Sequence, residues 1–207
     1  MLRHTIRMMC AAAALFLAAA SPALAHHVMD YAMPATALEG LLSGLGHPVI
    51  GVDHLLFILG AGVLAARWKR GLILPLLFVT ASLSAAGWRA AGAPFEVAEV
   101  WIAATLVVLG AILLAARNPG WAEAAALFVV SGALHGYALA EAIVGAESTP
   151  LLAYFAGLAV IQSAIALAAW RVATWLALHR PRVPLQRLAG TVVGIAGLAF
   201  VGMAAIS

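Results

Sequence analysis

The sequence contains few charged residues and almost no cysteine. Asp, Glu, Lys and Arg make up 9% of its 207 residues, 65% are hydrophobic, and the mean hydropathy is +1.07. This composition excludes an ordinary soluble domain and predicts an integral membrane protein. The single cysteine, Cys10, lies in a segment that we expect to be removed, so we expect neither a disulfide framework nor a thiolate metal site in the mature chain. A metal site would have to use nitrogen and oxygen ligands.

Motifs of ATP-driven pumps and of common hydrolases are also missing. There is no Gly-rich phosphate loop, and the longest polar insert, residues 178–186, is only a basic linker, so we do not expect ATP-driven transport by this chain alone. The hydrolase motifs H-E-x-x-H and G-x-S-x-G do not occur either. The isoelectric point near 9.6 is explained by the membrane topology described below, and no nucleic-acid partner is predicted.

The first 25 residues are typical of a secretory signal peptide. Arg3 and Arg7 precede an apolar run over residues 8–20, and small residues follow up to Ala25. We therefore expect cleavage after Ala25, and an uncleaved first helix is the alternative.

The predicted mature chain has two parts. Residues 26–45 form a periplasmic N-terminal segment, and we expect a short amphipathic helix on the outer surface within residues 29–46. Residues 46–207 form the transmembrane domain. After cleavage His26 and His27 would follow a free amine, which is typical of N-terminal chelators of nickel or copper. These two histidines are a second and weaker metal-binding prediction.

Six apolar runs in the membrane domain are long enough, or nearly so, to cross a bilayer core of about 30 Å. Gly and Ala are abundant in them, which allows close packing of helices. The sequence therefore predicts an all-α membrane protein, a bundle of six transmembrane helices after a cleavable signal peptide. The runs lie near residues 46–66, 72–91, 95–116, 121–144, 150–178 and 186–206.

The positions of the basic residues predict the orientation of the bundle. If the mature N-terminus is periplasmic, only Arg89 falls on the outer side, and all other Lys and Arg residues of the mature chain fall on the inner side. This asymmetry agrees with the positive-inside rule and predicts a multi-pass protein of the bacterial inner membrane. The inner residues are Arg67, Lys69, Arg70, Arg117, Arg171, Arg180, Arg182 and Arg187.

Three ionisable residues stand at the start of the first apolar run. A charge inside a spanning segment costs about 2.5 to 3.5 kcal/mol on insertion scales, so His47, Asp53 and His54 are functional candidates. Two imidazoles and a carboxylate also suit a borderline divalent cation. Pro48 and Gly51 lie between the histidines and predict a kinked or unwound turn that draws His47 towards Asp53 and His54.

The predicted topology brings further ionisable residues to the same half of the membrane. Glu99 lies near the outer end of the third run, while His135 and Glu141 lie in the outer half of the fourth. This convergence predicts a shared site between the first, third and fourth helices. Thr105 and Gln162, by contrast, are expected to form hydrogen bonds between helices.

Three stretches of the sequence match the pattern of one known family. His47-Pro48-Val49-Ile50-Gly51-Val52-Asp53-His54 fits H-P-x-x-G-x-D-H, residues 99–105 are similar to V-E-x-x-I-A-x-S, and residues 135–141 are similar to H-G-x-A-x-x-x-E. With histidines after a cleavable N-terminus, the chain resembles the HupE/UreJ family over nearly its whole length. These are small bacterial membrane proteins associated with hydrogenase and urease and regarded as nickel permeases, some of them for cobalt.

The resemblance implies a non-enzymatic permease that takes up Ni²⁺, or Co²⁺, from the periplasm as cargo, without a prosthetic group. The sequence departs from many relatives at two positions, where a second histidine after H-G-x-A and one in the fifth helix are replaced by Leu139 or Ala140 and by Gln162. Carried over residue by residue, the metal-binding set is His47, Asp53, His54, Glu99, His135 and Glu141.

Two alternatives from other functional classes stay open at this point. Asp53, His54 and His135 could hold zinc in an intramembrane hydrolase, with Ser131 assisting. The protein could also bind nickel at the outer face as a sensor or assembly factor without transporting it. The expected partners are a divalent metal ion and membrane lipid, with no nucleic acid, and the bundle could act alone or as a homo-oligomer.

Overall fold

The computed structural model describes residues 33–93, 99–115 and 119–205. Within these ranges the chain is helical and has no β-strand, so the predicted all-α class is confirmed. The proposed signal peptide, His26 and His27 lie outside the described residues. The helices are α1 Ala37–Ile50, α2 Val52–Ala65, α3 Ile73–Ala90, α4 Glu99–Leu114, α5 Trp121–Leu139, the short 3₁₀ helix Glu141–Ile143, α6 Ser148–His179 and α7 Leu185–Ala204.

The predicted count of six membrane spans is not confirmed. In the described part of the chain, α3, α5 with its 3₁₀ extension, α6 and α7 are long and apolar enough to cross a membrane. The bent pair α1 and α2 makes a fifth span if it is counted as one. Helix α4 is apolar but has 16 residues, a length of about 24 Å, which is short of a bilayer core.

The first apolar run is a broken helix. Helix α1 begins after Thr36, whose side chain caps the amide of Glu39 while the Glu39 carboxylate accepts the Thr36 amide. It ends at Gly51, where an extended backbone (φ −69°, ψ 97°) separates α1 from α2 and the chain bends by 75°. The expected interruption between His47 and His54 is therefore confirmed.

Helix α1 occupies the stretch where a short amphipathic helix was expected, and it packs against the rest of the bundle. It packs so closely on α6 that a Cβ atom added to Gly44 would lie 2.1 Å from the backbone oxygen of Tyr154. Gly40 meets Pro150 in the same way, and Ser43 is buried. Glycines on one face of α1 let its backbone touch that of α6, so α6 covers this face. The expected position of the helix on the outer surface of the membrane stays a prediction.

The bent pair follows α6 along its length. Gly44 of α1 contacts α6 at Tyr154, whereas Gly62 of α2 contacts it at Ala166. Both halves therefore lie against successive turns of one continuous helix, as expected if the pair forms a single broken span.

The described loops that were predicted to lie on the inner side of the membrane are together at one end of the bundle. The Arg67 guanidinium donates to Gln186 at 3.0 Å and to the Ile112 carbonyl at 3.3 Å, so the ends of α2 and α4 meet the start of α7. Trp68 lies edge-on to Trp121, 6.2 Å between ring centroids, which adds the start of α5. A cation at the last carbonyls of α4 also complements the helix dipole, and partial burial lowers the pKa of Arg67. We call this the basic end, since the loops beside it also carry Lys69, Arg70, Arg180 and Arg182.

Candidate metal site

Three buried histidines meet inside the bundle beside the broken helix. His47 is 3% exposed, His54 2% and His135 0%. The ring centroids of His47 and His54 are 6.3 Å apart, and those of His54 and His135 are 4.9 Å apart. These residues come from α1, α2 and α5, so the site is built where three helices converge. We call it the histidine cluster.

The interruption at Gly51 explains why two histidines seven positions apart can meet. On an unbroken helix their Cα atoms would be separated by about 10 Å along the axis. The 75° bend instead places His47 on the last turn of α1 and His54 on the first turn of α2, with their rings close together. A Cβ atom at Gly51 would lie 2.7 Å from Cδ2 of His54, so a side chain at this position would displace the His54 ring.

Each histidine of the cluster has a defined hydrogen-bond partner. Nδ1 of His54 lies 2.7 Å from Nδ1 of His135. Nε2 of His135 lies 2.9 Å from the Thr105 hydroxyl, and Nδ1 of His47 lies 2.9 Å from the Tyr154 hydroxyl. The cluster is therefore held from α4 and α6 as well as from its own helices.

Aromatic side chains close the cluster towards the basic end. The rings of Phe57 and Phe78 are stacked with centroids 5.2 Å apart, and both lie against His135, at 4.8 and 5.9 Å. Phe57 is almost one turn beyond His54 in the direction of the basic end. Phe78 is one turn before Ser82, whose backbone touches Gly136, so it also lies on that side of His135. We call these two residues the phenylalanine pair.

The three carboxylates predicted for the site are less buried than the histidines. Asp53 is half-buried, and its side chain accepts the backbone N–H of His54 at 2.8 Å. Glu99, the first residue of α4, and Glu141, in the 3₁₀ helix, are exposed. In the part of the chain that the structure describes, no three His, Cys, Asp or Glu side chains are arranged to hold a metal ion together. The structure thus brings the three histidines together and leaves two glutamates at the surface.

Two other polar residues behave as the sequence indicated. Thr105 joins α4 to His135, and Gln162 donates to the Ser82 hydroxyl at 3.3 Å, so both form hydrogen bonds between helices. The Gln162 carbonyl oxygen and the Ser131 hydroxyl are buried and have no hydrogen-bond partner among the described residues. Buried atoms of this kind are uncommon and costly, which makes the interior around the cluster more polar than a packing core requires.

Sequence reasoning missed Tyr154. It is fully buried in α6, its hydroxyl donates to the Leu139 carbonyl, and it also contacts His47. The sequence feature that could have identified it is a tyrosine within a long apolar helix, because a buried phenol requires a hydrogen-bond partner.

The sequence model of the HupE / UreJ protein family matches residues 13–200, which is most of the chain. The chain belongs to the HupE/UreJ family. No curated protein and no solved structure gave a match. HupE/UreJ proteins are associated with nickel or cobalt transport or with maturation, and the family is transporter-like and not an enzyme family. Several apolar helices and this membership together identify a membrane protein.

Proposed function

We propose that this HupE/UreJ protein is a permease that carries Ni²⁺, and secondarily Co²⁺, from the periplasm across the bacterial inner membrane. The observation that carries the proposal is the histidine cluster, three buried imidazoles gathered at a broken membrane helix. Buried ionisable groups at membrane depth mark transport pathways, and transporters commonly build ion sites from interrupted helices.

The donor atoms fit nickel better than a hard cation. Imidazole nitrogen suits Ni²⁺, Cu²⁺ and Zn²⁺, whereas Mg²⁺ and Ca²⁺ prefer sites built from oxygen. His47, His54 and His135 supply the nitrogens, and Asp53, next to His54 in the chain, supplies the nearest carboxylate in sequence. Nitrogen-rich sites bind nickel more tightly than cobalt by the general affinity order, so geometry and supply have to exclude copper and zinc.

The exposed glutamates have a separate role in this proposal. Glu99 and Glu141 lie at the ends of α4 and α5 that face away from the basic end, where a periplasmic cation would approach. Negative charge at such an opening raises the local concentration of a dication and its rate of association. We propose that the two residues attract the ion and do not coordinate it inside the bundle.

The phenylalanine pair has to move if the ion is to leave towards the basic end. The pair is stacked across that side of the histidine cluster, so the structure corresponds to a state closed to the cytoplasm in the proposed orientation. The same closure is what favours the second candidate function, a nickel-binding assembly or sensor protein that does not transport. A protein of that kind would keep the pair closed in every state.

Nickel accumulation in cells that express the protein tests the role of the histidine cluster. We expect His54→Ala to abolish the accumulation seen with the wild type, because it removes a central member of the histidine cluster. His179→Ala is the matched control, since His179 is an exposed histidine at the far end of α6, stacked on Trp175. Equal accumulation with His54→Ala and the wild type would rule out the proposed role of the cluster.

A further inference from the structure

The hydrogen bonds around Thr105 fix the tautomers of two histidines. A hydroxyl has one proton, and that of Thr105 is donated to the Ile102 carbonyl at 2.7 Å, an atom that can only accept. Thr105 Oγ1 is also 2.9 Å from Nε2 of His135, so this nitrogen has to donate its own proton to the oxygen. Neutral His135 then has a lone pair on Nδ1. It accepts from Nδ1 of His54 at 2.7 Å, and the proton of neutral His54 is on that nitrogen.

Tyr154 fixes the tautomer of His47 by the same logic. The phenol donates its single proton to the Leu139 carbonyl, which cannot donate in return. Nδ1 of His47 lies 2.9 Å from the phenol oxygen and has to be the donor of that hydrogen bond. Neutral His47 therefore also has its proton on Nδ1 and its lone pair on Nε2.

We call the hydrogen bonds from Thr105 through His135 to His54, and those from Tyr154 to His47, the two relays. Both relays leave the same ring nitrogen, Nε2, unprotonated. His47 and His54 each present an unprotonated Nε2, and their ring centroids are 6.3 Å apart. Metal–imidazole bonds of about 2.1 Å allow one ion to be shared by rings whose centroids are about 5 to 6.5 Å apart. His135 differs from them, because one of its nitrogens donates to Thr105 and the other accepts from His54.

We propose that Ni²⁺ is bound through Nε2 of His47 and His54, and that His135, Thr105 and Tyr154 are positioning residues that hold these two rings in the binding tautomer. The proposal rests on the proposed function and divides its histidine cluster into two ligands and one relay. Outer partners of this kind set the ring orientation and tautomer of metal ligands, and their loss commonly lowers metal affinity by about 10- to 100-fold.

Removing the Thr105 hydroxyl should change metal binding through the rings of His135 and His54, which link the hydroxyl to the metal. In Thr105→Val, the His135 Nε2–H has lost its acceptor, and His135 is free to carry its proton on Nδ1. That proton would face the Nδ1–H of His54 at 2.7 Å, so His54 has to move its own proton to Nε2. A proton on Nε2 occupies the lone pair that the metal needs.

The test combines tautomer measurements with Ni²⁺ titration on the full-length protein in detergent. ¹⁵N NMR of labelled histidine without metal should show unprotonated Nε2 for His47 and His54 in the wild type. Thr105→Val should protonate Nε2 of His54 and weaken Ni²⁺ binding by about 10- to 100-fold. Thr105→Ser should restore both properties. Thr174→Val is the matched control, since the partly buried Thr174 hydroxyl donates within α6, to the Trp170 carbonyl at 2.8 Å.

A second variant tests the other relay if Thr105→Val does not fold. Tyr154→Phe removes the acceptor of the His47 Nδ1–H and should change the His47 tautomer while leaving that of His54 unchanged. Tyr137→Phe is its control, because the buried Tyr137 hydroxyl donates to the Ala93 carbonyl.

X-ray absorption on the Ni²⁺-loaded wild type distinguishes two coordinated imidazoles from three. Coordination of His135, an unchanged His54 tautomer in Thr105→Val, or equal affinity of Thr105→Val and Thr105→Ser would overturn the proposal. The tautomers are measured without metal and without transport. A wrong tautomer prediction can therefore be distinguished from a permease proposal that fails because the protein carries no Ni²⁺.

Discussion

The three histidines of the cluster differ in what surrounds them. His135 is completely buried, and it lies between His54, the Thr105 hydroxyl and the rings of two phenylalanines. His47 and His54 lie on either side of the break at Gly51. The position of these two rings therefore depends on a residue that has no side chain of its own.

Gly51→Ala should weaken Ni²⁺ binding without unfolding the protein. The backbone at Gly51 has φ −69°, which alanine adopts freely, so no backbone strain is expected. The new Cβ atom would nevertheless lie 2.7 Å from Cδ2 of His54 and 3.3 Å from the Asp53 carboxylate, and the imidazole has to move. Titration with Ni²⁺ and a thermal unfolding curve measure the two effects separately.

Gly120→Ala provides the comparison for this variant, since no atom of the described residues lies within 4 Å of a Cβ atom there. We expect it to bind Ni²⁺ like the wild type. If Gly51→Ala also binds like the wild type, the His54 ring is not held where the structure places it.

Helix contacts decide where the cluster lies. The broken span is held against α6 by backbone contact at Gly44, and α5 is held against α3 by similar contact at Gly136, where a Cβ atom would lie 2.0 Å from the Ser82 carbonyl oxygen. Such contacts leave no room for even a methyl group. The stability of the bundle should therefore depend on these positions more than on their neighbours.

Gly44→Ala should destabilise the protein by about 1 to 3 kcal/mol or more, because overpacking forces the backbones of α1 and α6 apart. Its Cβ atom would lie 2.1 Å from the Tyr154 carbonyl oxygen. In Gly87→Ala of α3 the new methyl group has no neighbour within 4 Å in the part of the chain that the structure describes. This variant should be neutral or stabilising, since alanine favours helix over glycine by about 1 kcal/mol. Thermal unfolding in detergent compares the two, and a more stable Gly44→Ala would contradict the close contact.

Shortening one member of the phenylalanine pair should open the site to the basic end. Phe78→Leu removes half of the stacked contact with Phe57, so we expect faster release of bound Ni²⁺ from liposomes loaded with the ion. Phe200→Leu in α7 is the control, because Phe200 packs against the same core at a distance from the histidines in sequence. Equal release rates in both variants would show that the pair is not the barrier.

The sequence predicted the class of the fold because its apolar runs are long and its polar residues are few. It also predicted the break in the first span, since Pro48 and Gly51 carry that signal locally. It did not predict that α1 joins the bundle, because contact of Gly40 and Gly44 with α6 depends on a helix more than 100 residues away. For the same reason the sequence selected His47, His54 and His135 and could not identify Tyr154 as their partner.

The charge distribution over the whole bundle predicts its orientation in the membrane. Arg67 ties the ends of α2 and α4 to the start of α7 at the basic end, which we place in the cytoplasm. A cysteine introduced by Ser148→Cys, at the opposite end, should react with a membrane-impermeant maleimide added to intact spheroplasts. One introduced by Val183→Cys, in the loop between α6 and α7, should react only after the membrane is permeabilised. The reverse pattern would invert the proposed direction of uptake.

Uptake of Ni²⁺ into proteoliposomes that contain the purified protein tests most directly whether metal crosses the membrane through the histidine cluster. We predict saturable uptake by the wild type and by His179→Ala, with Co²⁺ as a competitor, and background uptake by His54→Ala. A wild-type protein that binds Ni²⁺ but moves none, or equal uptake by all three proteins, would contradict the account.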